Sequence, residues 1–114
     1  MTTSPTAVDP PLFAMAATEE QTPAIDMTPD LSSGQHVTLN SVVLTNSDTG
    51  QVVTLSNSPT VVTAASGMLA LVEQTIDGNN DAIVAGQTYR LRVTYTAYPT
   101  TNRFVRDLTI IVSA

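Results

Sequence analysis

The side chains able to do chemistry are few and dispersed. There is one histidine, His36, and no cysteine. Without thiols there is no disulfide framework, thiolate zinc site or cysteine nucleophile. Residue order alone leaves a Ser-His-Asp arrangement open, but nothing in the chain reads as a nucleophile elbow. His36 stands just before an apolar-alternating run and reads as an exposed residue leading into a strand. Glu19 and Glu20 adjoin only in sequence and read as solvated charge. The densest set of oxygen donors is Asp77-Gly78-Asn79-Asn80-Asp81. Such a run can supply calcium ligands, but the remaining spacing of an EF-hand loop is missing. The same residues build turns, because Asn and Asp accept left-handed geometry. The turn is the reading adopted. No glycine-rich phosphate loop is present. The chain is therefore expected not to be an enzyme, with no catalytic residue, metal ligand or cofactor.

What remains is binding, and the charge layout bears on it. The 114 residues carry a net charge of -6, with four basic and ten acidic side chains. A duplex nucleic-acid partner is excluded, since phosphate contacts need a basic surface. All four basic residues are arginines at the C-terminal end: Arg90, Arg92, Arg103 and Arg106. Lysine is absent. Arginine is the residue suited to partly buried ion pairs at contacts. No run approaches the roughly 20 apolar residues of a membrane span. The first residues lack the basic start of a secretory signal, and Pro10 and Pro11 interrupt their apolar run. Synthesis in the cytoplasm without export is the expectation.

The elements that must position these residues are strands. Thr occurs 19 times and Val 13 times, and β-branched side chains favour sheet. Residues 1–22 stand apart, with Pro5, Pro10 and Pro11 removing ladder donors. Either Asp9 caps a short helix starting at Pro10, or the segment is an extended arm anchored by Leu12, Phe13 and Met15. The extended arm is favoured. From residue 23 to 114 short apolar runs alternate with turn signals. Segments 23–27, 37–45, 51–55, 60–65, 68–73, 88–98 and 103–113 give about seven strands of one β-sandwich domain. In 37–45, Val37 and Leu39 have one parity and Val42 and Leu44 the other, which places a β-bulge near Asn40-Ser41.

The last two strands can be aligned. With Tyr98 facing Arg103, one face collects Tyr89, Leu91, Val93, Tyr95 and Ala97 against Phe104, Arg106, Leu108, Ile110 and Val112. Arg106 then lies over the Tyr95 ring. The other face collects Arg90, Arg92 and Tyr98 with Arg103, Val105 and Ile111, and Asp107 sits diagonal to Arg92. This second face has two readings, a solvated surface or a docking face for an acidic partner.

Gly86, Tyr89, Arg106 and Asp107, followed by Leu108, Ile110 and Val112, resemble the closing strands of small immunoglobulin-like structural proteins of tailed bacteriophages. Residues 23–45 are similar to the opening of those proteins, except that Pro29 and Asp30 stand where many relatives have a Trp. The resemblance implies an all-β, Ig-like antiparallel sandwich over 23–114. It implies a capsid decoration or cement protein on the outer surface of a virion. The partner would be the major capsid protein, together with neighbouring copies of this chain, gripped by the arm and a sandwich face. A tail, fibre or baseplate component that binds a host glycan is the alternative. Within a sandwich, Tyr89 reads either as a corner tyrosine bonded back to the main chain or as plain core.

Overall fold

Three long strands rich in Thr and in Val and other apolar residues, His36–Asn46, Thr88–Tyr98 and Arg103–Val112, pair side by side, and the other elements arrange around them. The computed structural model describes residues 12–27, 30–31, 34–63 and 70–114. Its strands are β1 (Leu12–Met15), β2 (Glu20–Gln21), β3 (Ala24–Asp26), β4 (His36–Asn46) and β5 (Val52–Val53). They continue as β6 (Thr60–Thr63), β7 (Ala70–Glu73), β8 (Ile76–Asp77), β9 (Thr88–Tyr98) and β10 (Arg103–Val112). One sheet has the order β1-β10-β9-β4-β5, a second β3-β7-β6, and β2 pairs with β8. The chain is all-β with several sheets, an arrangement compatible with a sandwich. No α-helix occurs among the described residues.

The core is the inward face of β9 and β10. Tyr89, Leu91, Val93, Tyr95, Leu108, Ile110 and Val112 are buried there. Leu44 joins them from β4, with Ile25, Met27, Val72 and Ile76 from the smaller sheets and their flanks, in one apolar cluster. Each such side chain contributes about 1.5–3 kcal/mol when removed from water. The expected bulge is present: the β4–β9 pairing slips between Leu39 and Ser41. The slip lets Val37 and Leu39 pack against the same core as Val42 and Leu44.

The β9–β10 register differs from the expected one. Arg103 faces Thr96 rather than Tyr98, and Arg106 faces Val93 rather than Tyr95. The cause lies in the turn. Ala97 N–H donates to the Asn102 carbonyl at 3.0 Å, and Thr100 N–H to the Ala97 carbonyl at 2.9 Å. The chain thus reverses one residue earlier than expected. The resulting offset is even, so every inward residue stays inward.

Part of the expected 1–22 arm joins the main sheet. β1 lies parallel to β10, with Leu12 opposite Thr109 and Met15 opposite Val112. The sheet is therefore not wholly antiparallel. Met15 is buried in the domain's own core, and Phe13 packs against it. Their two-residue spacing matches the pleat of the strand they join. Leu12–Met15 is strand rather than helix. The possible helix start at Asp9-Pro10, and all of residues 1–11, lie outside the described residues. Residues 64–69, including the expected Ser66-Gly67 turn, lie outside them as well.

Before β9 the chain turns through Gly86, whose φ of +83° only glycine adopts readily. Tyr89 is buried, and its hydroxyl accepts a hydrogen bond from Val84 N–H at 2.9 Å. Tyr89→Phe keeps the ring and leaves that N–H without its partner. The expected cost is about 1–2 kcal/mol in chemical denaturation. A neutral result would mean that the ring alone holds this corner.

Candidate docking face and its supporting ion pairs

Strand alternation places Arg90, Arg92, Thr94, Thr96 and Tyr98 on the outward face of β9. The register then fixes their neighbours. Arg92 lies between Val43 and Asp107, and Arg90 between Thr45 and Thr109. Thr94 lies between Ser41 and Val105, and Thr96 between Thr38 and Arg103. Leu12 extends the row of Arg90 and Thr109. Exposed apolar side chains are spread through this face: Leu12, Val43, Val105 and Ile111, with Tyr98 at one end. Tyr98 faces His36 across the strands, with ring centroids 5.0 Å apart and planes tilted by 33°. His36 is exposed and opens β4.

Five of the residues expected to contact a partner therefore share one surface: Arg90, Arg92, Tyr98, Arg103 and Val105. Leu12 reaches its edge. Phe13 and Met15 do not belong to it, because they point into the core and are unavailable for insertion into a neighbour.

Arg92 and Asp107 are opposite each other rather than diagonal, a consequence of the corrected register. Nε donates to Oδ1 at 2.8 Å and Nη2 to Oδ2 at 2.9 Å. This fork geometry is the strong form of the contact. The hydrogen bond from Arg92 holds the Asp107 carboxyl below its ordinary pKa. Burial opposes the shift, and the charges of Arg92 and Arg90 add to it. A depressed carboxylate stabilises the fold above its unfolded pKa, and that contribution fades as pH falls through the lower folded value. Side-chain exposures of 43% and 24% mean that solvent screens the pair. Its worth is under about 1 kcal/mol. Asp107→Asn is expected to lower stability at pH 7 by under about 1 kcal/mol and to leave it unchanged near pH 2, so the acid limb below about pH 4 flattens by that same amount. Following unfolding midpoints from pH 7 to pH 2 checks it, and an unchanged acid limb would refute the linkage.

Arg106 has the inward parity but reaches the rim of the core. There it donates through Nε to Oδ2 of Asp30 at 2.8 Å, and through Nη2 to Oδ1. The buried Tyr95 hydroxyl donates to the same Oδ2. Phe104 stacks on Tyr95 at 5.6 Å. So Arg106 does not lie on the Tyr95 ring; it shares a carboxylate with the Tyr95 hydroxyl. Asp30 was not anticipated as a partner. The available signal was Arg106 itself, a charge on an apolar face that needs a counter-ion.

The Asp77–Asp81 run forms a turn. Asp77 Oδ1 accepts Asn79 N–H at 3.1 Å, and Oδ2 accepts the Asn80 side-chain amide at 2.6 Å. Among the described residues, no three His, Cys, Asp or Glu side chains are grouped to hold a metal ion.

Comparison of the chain with protein-family models, with curated proteins and with solved structures found no match.

Proposed function

We propose that this chain is a non-enzymatic structural protein of a phage virion, a decoration or cement protein on the outer capsid surface. It grips the major capsid protein non-covalently through the outward face of its five-stranded sheet. One observation carries the docking mode: that face holds Arg90, Arg92 and Arg103 among exposed Val43, Val105 and Ile111. The acidic Glu20, Glu73 and Asp77 lie instead on β2, β7 and β8, with Glu19 just before β2. An Arg-rich face with scattered apolar contacts suits an acidic partner surface and steers its approach. The phage assignment itself rests on the sequence resemblance across 23–45 and 85–112.

The sandwich is proposed to be Ig-like. The order β10-β9-β4-β5 parallels the G-F-C-C′ order of variable-type immunoglobulin sheets, and β3-β7-β6 parallels B-E-D. The Tyr89 hydroxyl bonded to the main chain five residues earlier has the form of a corner tyrosine.

The test uses purified chain and capsids of the parent phage. Arg90→Glu with Arg103→Glu is expected to weaken capsid binding by about tenfold or more while circular dichroism stays unchanged. Unaltered binding would rule out this face. Truncation should stop at residue 11, because removal through residue 22 takes Met15 out of the core. The second reading, a tail or fibre component that binds a glycan, is favoured by exposed Tyr98 beside His36. Copy number per particle, measured by mass spectrometry, separates shell from tail.

A further inference from the structure

A second candidate site lies at the far edge of the five-stranded sheet, away from β1. There β5 ends the sheet, and the chain at 80–87 faces it across a cleft of about 500 Å³. The register sets the direction of the β5 main chain. Asn46 N–H donates to the Gln51 carbonyl at 2.8 Å, and Leu44 is paired with Val53. Gln51 and Val53 therefore direct their main-chain groups at β4. Val52 and Thr54, one residue out of phase, direct theirs away from it, along the free edge. Both residues line the cleft.

The lining offers no exposed charged group. It contains no Arg or His, and its one carboxylate, Asp81, is buried with both oxygens accepting protein donors. Amide side chains of Gln51 and Gln87 supply polar contacts, and exposed Val52 and Val84 supply apolar flanks. A sugar site would present an aromatic platform. The only aromatic in the lining, Tyr89, is 1% exposed with its hydroxyl committed to Val84.

We infer that this cleft takes an uncharged, extended peptide segment that adds as a strand to the free edge of β5. The peptide main chain pairs with Val52 and Thr54, and its alternate side chains rest on Val52 and Val84. Free edges recruit strands in this way, with main-chain bonds for affinity and flanking contacts for specificity. The inference is independent of the virion reading, since it concerns the purified chain alone.

The experiment is a titration of the isotope-labelled full chain with a blocked pentapeptide, acetyl-Thr-Val-Thr-Val-Thr-amide, followed by amide NMR. The expected result is saturable shifts at Val52, Thr54 and Val84, with slowed exchange of the Val52 and Thr54 amides. Thr54→Pro deletes one outward donor and is expected to weaken binding about tenfold. Val84→Lys, at an exposed side chain outside the pairing, keeps the fold and is expected to weaken binding similarly. Absence of saturable shifts at millimolar peptide would overturn the inference. So would shifts confined to the Arg-bearing face, or shifts of these amides by maltose and not by the peptide.

Discussion

Gly78→Ala is expected to be the most damaging small substitution in the molecule. A Cβ at this position would lie 2.1 Å from the Ala17 carbonyl oxygen and 2.9 Å from that of Glu19. Both obstacles are main chain, so no side-chain rotation relieves them. The approach is close because Gly78 N–H donates to the Glu19 carbonyl at 2.9 Å, just where β2 pairs with β8. Relief requires residues 17–19 to move off the turn. That motion loosens β2 and pulls on β1, whose Met15 carbonyl accepts Ser113 N–H at 3.0 Å. The cost is about 3 kcal/mol or more. In a domain of this size that lowers the unfolding midpoint by about 10 °C. Gly50→Ala provides the control. Gly50 has φ +78° but nothing within 4 Å of an added Cβ. Its penalty is conformational only, about 1–2 kcal/mol. If alanine costs less at Gly78 than at Gly50, the N-terminal segment does not cross over this turn.

The same crossing marks the limit of what the sequence made legible. Face assignment in the last two strands was readable, because a period of two survives any even slip of register. The slip itself was not, since moving the turn by one residue on each side changes partners without changing faces. Hence Arg92 and Arg103 appeared on the correct surface while Asp107 appeared diagonal instead of opposite. At the other end, the prolines dominated the reading of residues 1–22. The spacing of Phe13 and Met15 was visible, but two apolar positions do not say which sheet they join. Their partner is the last strand of the chain, and a parallel pairing so distant in sequence leaves no local mark. Asp30 illustrates the same difficulty. A charge on the core face at Arg106 announced a missing counter-ion, yet the carboxylate arrives from the opposite end of the chain. The cleft beside β5 had no linear signature, because Asn46, Gln51 and Gln87 meet only after β4 has paired with β5 and β9.

Asp81→Ala is expected to rival Gly78→Ala, for a different reason. The Asp81 side chain is 1% exposed and accepts three hydrogen bonds. Ser56 N–H and Ser56 Oγ–H reach Oδ1 at 2.9 and 2.7 Å, and Asp77 N–H reaches Oδ2 at 2.8 Å. One carboxylate thus closes the 77–81 turn and ties it to the chain leaving β5. Truncation leaves two main-chain donors and a hydroxyl without acceptors, at a cost of about 3–4 kcal/mol. Asp81→Asn should fall between that and wild type. Its carbonyl oxygen can still serve Ser56, but its amide nitrogen then confronts Asp77 N–H, donor against donor. Ser56→Ala removes only the hydroxyl bond and should cost about 1 kcal/mol. The order Ala, Asn, then the Ser56 variant, measured by urea denaturation, is the signature of a carboxylate acting as acceptor for its own turn. A calcium ion bound by this run predicts something else. It would have to displace these donors to reach the Asp81 oxygens, and stability would then follow added calcium and collapse with chelator. The midpoint of wild type is expected to be the same in calcium and in chelator. A calcium-dependent midpoint that disappears in Asp81→Asn would overturn the assignment of this loop as a hydrogen-bonded turn.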